Sequence, residues 1–167
     1  MANKYNHQII TAISFGLTSA VISSLGMIVG LNSATSSKLV VIAGIVLLSI
    51  ADGLADAAGM HLSEESEMEG GTSKHTSREV WLTTIFTLLS VVGIAMTFVI
   101  PIVIFPLGTA VLVAIGWGLF LLVFLNYYIA KIKNENPLKL ISEHILLAVA
   151  LILVSNWLGT LLAVLLK

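Results

Sequence analysis

Residues 38–62 read KLVVIAGIVLLSIADGLADAAGMHL, an apolar run whose only carboxylates are Asp52 and Asp56. A hydrocarbon core of ~30 Å takes about 20 helical residues to cross at ~1.5 Å each, so this run is long enough to span a bilayer. Four other runs of similar length and character occur along the chain. The sequence therefore predicts an all-α integral membrane bundle of five transmembrane helices, at about 9–31, 38–62, 80–100, 106–130 and 140–166.

The composition agrees with a bundle that has little mass outside the lipid. Of the 167 residues, 57% are hydrophobic and 10% charged. Ionised side chains this sparse cannot cover a soluble domain, whereas lipid accepts apolar side chains. The polar stretch 63–79 is predicted to be a loop because it contains Gly70-Gly71 and several Ser and Thr residues. Pro101 is expected to end the third helix, and 1–167 is treated as a single domain.

Several classes of function are disfavoured by the sequence. The net charge is −1, which gives no bulk field that would attract nucleic acid. The absence of cysteine excludes disulfides, thiolate metal sites and cysteine nucleophiles. The chain also has no P-loop, HExxH pattern, Ser-His-Asp order or dinucleotide fingerprint. We therefore expect neither an enzyme nor a resident cofactor.

The distribution of Lys and Arg predicts an orientation in the membrane. With an N-terminus in the cytoplasm, the cytoplasmic side would hold Lys4, Lys74, Arg78, Lys131, Lys133 and Lys139. The opposite side would hold only Lys38 and Lys167. Under the positive-inside rule this split favours a cytoplasmic N-terminus and a C-terminus on the opposite side.

The first predicted helix carries small residues at helical spacing. They are Ala12, Gly16, Ala20 and Ser24 at every fourth position, Ser19 and Ser23, and the G-x-x-x-G pair Gly26 and Gly30. Such residues let helix backbones approach closely in lipid, so this helix should be central. The stripe fits packing within one protomer and a homodimer contact equally well. Asn126 and Asn156, in later helices, are expected to hydrogen-bond between helices.

Asp52 and Asp56 are the strongest candidates for a functional site. Their spacing of four puts them on one helical face, with Met60 one turn further along. An intramembrane carboxylate costs at least ~2.5 kcal/mol on insertion scales, and no Lys or Arg lies within the five apolar cores to neutralise it. Protonation, a water-filled cavity or a bound cation could compensate. The alternative is a protonated pair that hydrogen-bonds to Ser and Thr hydroxyls of the first helix.

A second constellation follows the second helix at His61-Leu62-Ser63-Glu64-Glu65-Ser66-Glu67-Met68-Glu69. If the helix continues outward, His61, Glu64, Glu65 and Met68 fall at spacings of three and four. Carboxylate, imidazole and thioether together suit a divalent transition metal such as Fe²⁺ or Mn²⁺. A solvated acidic run is the alternative and the better prior for charge runs in general. His75 is a weaker candidate in the same loop.

Two stretches resemble the vacuolar iron transporter family. Residues 16–31, GLTSAVISSLGMIVGL, are similar to the signature of that family's first helix, and residues 51–63, ADGLADAAGMHLS, to that of its second helix. Ile100-Pro101 to Pro106 and Asn136-Pro137-Leu138 also fit. The resemblance implies a five-helix homodimer that exports Fe²⁺, and often Mn²⁺, from the cytoplasm in exchange for protons, with a cytoplasmic domain rich in Glu and Met that gathers the ion.

The chain departs from the family at the residues that the resemblance would make functional. Ser19 stands where the family has a first-helix aspartate, Asp56 where it has a second-helix methionine, and Met60 where it has a glutamate. Asp52 replaces a small residue, and the metal-gathering domain is reduced to the loop 63–79. Carboxylate and thioether have thus exchanged places on one helical face.

These observations lead to one main hypothesis and two alternatives. The main hypothesis is a divalent-metal transporter for Fe²⁺ or Mn²⁺ that forms a homodimer through its first helix. Asp52, Asp56 and Met60 would line the path, and Ser19 and Met27 would face them from helix one. Glu64, Glu65 and Met68 would belong to a weak cytoplasmic collector. The alternatives are a scaffold or accessory subunit that does not transport, and a transporter of a different small cargo.

Overall fold

The computed structural model describes residues 2–166, with the side chains of 7–68 and 70–166. The elements in chain order are α1 (Ala2–Thr35), α2 (Lys38–Ser66), β1 (Met68–Glu69), β2 (Thr72–Ser73), α3 (Ser77–Thr97), α4 (Val99–Ile104), α5 (Leu107–Lys133) and α6 (Pro137–Leu165). Within the described chain, five segments are long and apolar enough to cross a membrane: His7–Thr35, Lys38–Ser66, Ser77–Ile104, Leu107–Lys133 and Pro137–Leu165. The prediction of an all-α, multi-pass membrane protein is confirmed.

The helices extend beyond their predicted bounds because polar residues cap them outside the apolar runs. Helix α2 begins at the predicted Lys38, where the Ser37 side chain accepts a hydrogen bond from the Val40 amide, and extends only at its other end, to Ser66. The Asn136 side chain accepts one from the Leu138 amide at the start of α6, with Pro137 in the first turn. These caps satisfy amides that a helix otherwise leaves unpaired. Hydrophobicity alone located the apolar parts of the helices and missed their polar ends.

The break in the third span falls before Pro101, which corrects the predicted end at 100. Helix α3 ends at Thr97, Phe98 caps it, and the short α4 then contains Pro101 in its first turn. Proline has no amide hydrogen for the carbonyl four residues earlier, and its ring crowds that carbonyl. That carbonyl belongs to Thr97, so the continuous helix ends there.

The stretch 63–79, predicted to be a loop, consists largely of regular structure. Helix α2 continues to Ser66, and β1 and β2 then pair as a two-stranded antiparallel hairpin. Gly70 (φ 59°) and Gly71 (φ 84°) form its turn, where both residues need the left-handed region that glycine adopts freely. Thr76 and Glu79 then form a capping box that starts α3.

Helix α1 is at the centre of the bundle, as predicted, and contacts α2, α3, α5 and α6. A Cβ added at Gly16 would lie 2.8 Å from Ser90 Cβ of α3, and one at Gly26 would lie 2.9 Å from Leu151 of α6. Near the C-terminal end of α6, a Cβ added at Gly159 would collide with the backbone of Gly30. The small-residue stripe therefore packs within one chain, and homodimerisation stays a prediction.

Large apolar side chains cover the outward faces of the outer helices. Leu39, Leu112, Leu138, Leu146 and Trp157 are all exposed. Such a surface is stable against acyl chains and would aggregate in water. The N-terminus of α1, the hairpin and the α5–α6 turn lie at one end of the bundle, called here the loop side. The side of the membrane that each end faces stays a prediction, and Lys167, which counted toward it, lies outside the described residues.

Candidate functional site

Asp52 lies at the midpoint of α2, which runs from Lys38 to Ser66. With a rise of ~1.5 Å per residue, its Cα is about 21 Å from either end of the helix. Asp56 is one turn closer to the loop side and Met60 one turn further still. All three side chains are half-buried. Both carboxyl groups are therefore at the depth of the hydrocarbon core if the helix spans the membrane.

Asp56 is the more constrained of the two aspartates. Its Oδ2 atom is fully buried and has no hydrogen-bond partner among the described residues. A buried oxygen without a donor loses hydration without replacing it, which destabilises an ionised carboxyl most. The position can be stabilised by a proton on the carboxyl or by a cation beside it.

The pair is held in place by close packing of α2 on α3. A Cβ at Gly53 would lie 2.9 Å from Val92 Cγ2 and 3.1 Å from Leu88 Cδ1, so α2 approaches α3 closely between the two aspartates. Closer to the loop side than Asp56, His61 hydrogen-bonds to Thr84 of α3 at 2.8 Å. Asp56 thus lies at a level between these two contacts with α3.

Helix α3 adds a line of buried polar residues that the sequence reasoning missed. Glu79, Thr83 and Thr87 follow one another at a spacing of four and are all buried. The Thr83 hydroxyl donates to the Glu79 carbonyl at 3.2 Å, whereas Thr87 Oγ1 has no partner among the described residues. The spacing of four was visible in the sequence and could have identified this buried face.

The two residues expected to face the aspartates from α1 lie on different surfaces. Met27 contacts the position of Gly44 and lines an open apolar groove between α1 and α2 that extends to Ala51, next to Asp52. Ser19 lies in a shallow crevice that includes Leu151 of α6. Of the two, Met27 is the one that shares a surface with α2.

The loop residues predicted to form one metal-binding face are separated. Glu64 points inward and its side chain is only 10% exposed, whereas Glu65 points outward beside His61. Helix α2 ends before Met68, which lies in β1 and is 63% exposed. The helical face that the spacing predicted therefore breaks at Glu67, the C-terminal cap of α2.

His75, ranked low from the sequence, is the centre of a buried polar cluster. Its side chain is 7% exposed, and its Nε2 lies 3.3 Å from Glu67 Oε2 and 3.4 Å from Glu64 Oε2. Gln8 Nε2 donates to His75 Nδ1 at 3.2 Å, which ties α1 to the loop. The contact with Glu64 has the distance of an ion pair without the alignment of a hydrogen bond, since Glu64 Oε2 has no hydrogen-bond partner among the described residues.

Lys74 completes this cluster from the solvent side. Its ammonium donates to Glu67 Oε2. The hydrogen bonds from Lys74 and then from His75 hold the pKa of the Glu67 carboxyl below its ordinary value of 4.5. The Glu67 carboxyl therefore stays ionised to a lower pH than an isolated glutamate does.

A polar cavity of about 150 Å³ lies beside the cluster, between His61, Glu65, His75 and Trp81. The Thr84 hydroxyl already donates to the Val80 carbonyl at 2.7 Å, so His61 Nδ1 is the donor to Thr84. In the neutral ring this leaves a lone pair on His61 Nε2, which is 4.0 Å from Glu65 Oε2. An imidazole nitrogen and a carboxylate thus face the same small cavity.

Fold and site together define a polytopic α-helical membrane protein with two ionisable side chains inside a span. No group of three or more His, Asp or Glu among the described side chains is arranged to hold a metal ion within one chain. No protein-family model matches the chain, and no curated protein matches it. The resemblance to vacuolar iron transporters thus stays a prediction from the residues that carry it.

Proposed function

We propose that the protein is a homodimeric transporter of a divalent metal ion, Fe²⁺ or Mn²⁺, that exports the ion from the cytoplasm in exchange for protons. The observation that carries the proposal is the buried, unpartnered Oδ2 of Asp56, one turn from Asp52 at the middle of a membrane-spanning helix. Ionisable side chains at this depth are expensive and mark ion or proton pathways in membrane proteins.

The aspartate pair also supplies a mechanism for proton coupling. Two carboxylates one helical turn apart repel each other, and a divalent cation between or beside them removes that repulsion. When the cation leaves, a proton on one carboxyl replaces part of its charge. Because cation and proton compensate the same buried charge, binding of one opposes binding of the other.

A second copy of the chain would complete the coordination that one chain lacks. Two aspartates offer too few ligands for Fe²⁺ or Mn²⁺, and the described residues add no third acidic or imidazole group beside them. The apolar groove lined by Met27, Leu31 and Gly44 extends to Ala51. A partner seated in this groove would bring a second set of aspartates and thioethers close to the first.

The loop side would be the cytoplasmic entrance. His61 Nε2 and Glu65 face a polar cavity there and would act as a weak collector of the ion. Glu64 is engaged with His75, and Met68 is exposed on the hairpin. The collector is thus smaller than the set of Glu64, Glu65 and Met68 that the sequence suggested.

Metal flux into proteoliposomes under a pH gradient tests the proposal. Wild-type protein should move Fe²⁺ or Mn²⁺ into the more acidic compartment as protons leave it. Asp52→Asn or Asp56→Asn should reduce this metal flux at least about ten-fold, because each removes a charge from the path. Glu135→Gln, a matched neutralisation in the turn between α5 and α6, should leave the flux unchanged. Flux at the wild-type level in both aspartate variants would contradict the assignment of Asp52 and Asp56 to the metal path.

A scaffold or accessory subunit that does not transport is the second candidate. It is favoured by the lack of a complete ligand group among the described residues of one chain. It predicts no metal flux in the same liposomes, either from the wild-type protein or from a variant with both aspartates replaced by Asn. Proton flux without metal flux would instead favour a transporter of another cargo.

A further inference from the structure

A cavity of about 420 Å³ opens on the loop side between α1, α5 and α6, away from the aspartates. Its mouth carries His7 near the start of α1, Lys133 at the end of α5 and His144 in α6. Its wall is mostly apolar, with Phe15 and Ile132 among the lining side chains. This is the size of a site for a small molecule or part of a lipid.

Helix α1 makes its close glycine contacts with different helices at different levels of the bundle. Away from the loop side, Gly30 and Gly159 let the backbones of α1 and α6 touch. Towards the loop side, Gly16 draws α1 onto Ser90 of α3 instead. The cavity lies on the loop side of the Gly30–Gly159 contact, between α1, α5 and α6.

The length of the cavity matches one leaflet. Its lining runs along α1 from His7 to Thr18, which at ~1.5 Å per residue is about 16 Å. Half of a hydrocarbon core of ~30 Å is about 15 Å. Several lining side chains, including Ile10 and Ile132, are exposed at the surface of the bundle, so the cavity is open sideways to lipid.

The polar groups of the cavity favour an anion at its mouth. The described side chains that line it include Lys133 and no carboxylate. His144 Nδ1 donates to the Leu140 carbonyl at 2.9 Å, so its Nε2 has a lone pair in the neutral ring and can donate to an anion only in the imidazolium form. Glu135 and Glu143 line a separate small pocket together with Lys139.

Deeper polar residues do not prevent an acyl chain from entering. Asn126 Nδ2 donates to the Leu122 carbonyl at 2.8 Å and is satisfied within its own helix. The hydroxyls of Thr11, Ser14 and Thr18 can rotate to the carbonyl four residues earlier, as Ser and Thr do in membrane helices. A cation, in contrast, would meet Lys133 at the entrance.

We propose that this cavity binds one anionic phospholipid from the leaflet on the loop side. One acyl chain lies against Phe15 and Ile132, and the phosphate accepts hydrogen bonds from Lys133 and the neighbouring His7 and His144. Basic pockets between transmembrane helices at the membrane surface recognise anionic headgroups in this way. The inference is independent of metal transport.

Native mass spectrometry of the purified protein with phosphatidylglycerol or phosphatidylcholine tests the proposal. The wild-type protein should retain phosphatidylglycerol about five-fold more than phosphatidylcholine, and Lys133→Ala should remove most of that preference. Lys139→Ala makes the same charge change outside the cavity and should keep it. Equal retention of both lipids, or equal losses in the two variants, would overturn the proposal.

Two further measurements separate the lipid from other occupants. Ser14→Phe fills the cavity without changing charge and should also lower phosphatidylglycerol retention, with helical circular dichroism as in the wild type. Unchanged retention would show that the lipid binds elsewhere. Glycerol 3-phosphate in excess should fail to displace the lipid, because it lacks an acyl chain; displacement would identify a site for a soluble anion instead.

Discussion

The two halves of the bundle are built differently. On the half away from the loop, α1 and α6 meet backbone to backbone at Gly30 and Gly159, and Ser33 donates to Asn156 at 2.7 Å across the same contact. On the loop side, the helices separate around cavities of about 420 and 150 Å³. Buried polar side chains gather there too, among them Gln8, Glu64, Glu79, Thr83 and Thr87.

The difference assigns separate tasks to the halves. Close backbone contact gives dispersion energy that lipid cannot supply and holds the helices together. Buried polar atoms without partners reduce stability. Among the described residues, Gln8 Oε1, Asp56 Oδ2, Glu64 Oε2 and Thr87 Oγ1 lie in the loop-side half, and Ser24 Oγ lies in the far half. The far half therefore stabilises the fold. The loop-side half contains Asp56 and the two cavities, and Asp52 lies at the boundary between the halves.

The largest expected effect comes from breaking the far half. Gly159→Ala should lower the free energy of unfolding by about 1–3 kcal/mol, because the new methyl group collides with the Gly30 backbone. Thermal unfolding in detergent measures it. Gly116→Ala is the matched control, since a Cβ at Gly116 meets nothing within 4 Å, and it should be neutral or stabilising. Similar losses in both variants would contradict the role given to the α1–α6 contact.

On the loop side, His75→Ala should lower the free energy of unfolding by about 1–2 kcal/mol, because Glu64 is then buried without its neighbour. Hydrogen exchange should also speed up in the first turns of α1, which lose the bond from Gln8. Glu135→Ala, at an exposed position in the turn between α5 and α6, serves as the control and should change neither quantity. Unchanged exchange in His75→Ala would show that the cluster does not anchor α1.

Asp56→Asn should act in the opposite direction and raise the free energy of unfolding by about 1 kcal/mol, because it removes a charge from a buried oxygen without a donor. Asp52→Asn should raise it less. Unfolding in detergent at pH 7 without added metal measures both. A loss of stability in Asp56→Asn would mean that the carboxylate has a favourable partner and would weaken the contrast between the halves.

The smallest effect is the pH dependence of the stability that the Glu67 carboxyl contributes at the end of α2. Because the pKa of Glu67 is lowered, the stabilisation from its ionised form is complete above pH 4.5 and is lost only as the pH falls through the lowered value. A carboxyl NMR titration should give a midpoint below 4.5. Lys74→Gln removes the largest cause and should bring the midpoint back towards 4.5. A midpoint at or above 4.5 in the wild type would refute the Glu67–Lys74 contact.

The sequence predicts the helices well because their length is set by the bilayer. Each of the five apolar runs became a spanning helix, and the small residues at Gly16, Gly26 and Gly30 did mark α1 as central. The ends were harder to predict, since Thr76 and Asn136 cap α3 and α6 before the apolar runs begin, and hydrophobicity does not detect such caps. The break at Thr97 follows from Pro101 only when the lost hydrogen bond is counted four residues back.

The polar residues were harder to predict because helical spacing does not say which neighbour each face meets. Asn156 bonds to Ser33 of α1 as expected, whereas Asn126 bonds to the Leu122 carbonyl of its own helix. Glu64 and Glu65 are adjacent in sequence and point to opposite environments. The depth of Asp52 and Asp56 was easier to predict, because it depends only on their positions along one helix. Metal binding by the two aspartates stays a prediction.

The backbone contact between Gly30 and Gly159 has a consequence for biosynthesis. Helix α6 leaves the ribosome after α1 to α5, and until it inserts, the surface of α1 around Gly26 and Gly30 faces acyl chains that fit it poorly. The surface of α1 around Gly30 therefore stays uncovered until α6 has been translated. A premature stop codon before α6 would leave that surface open permanently and mark the fragment for membrane quality control.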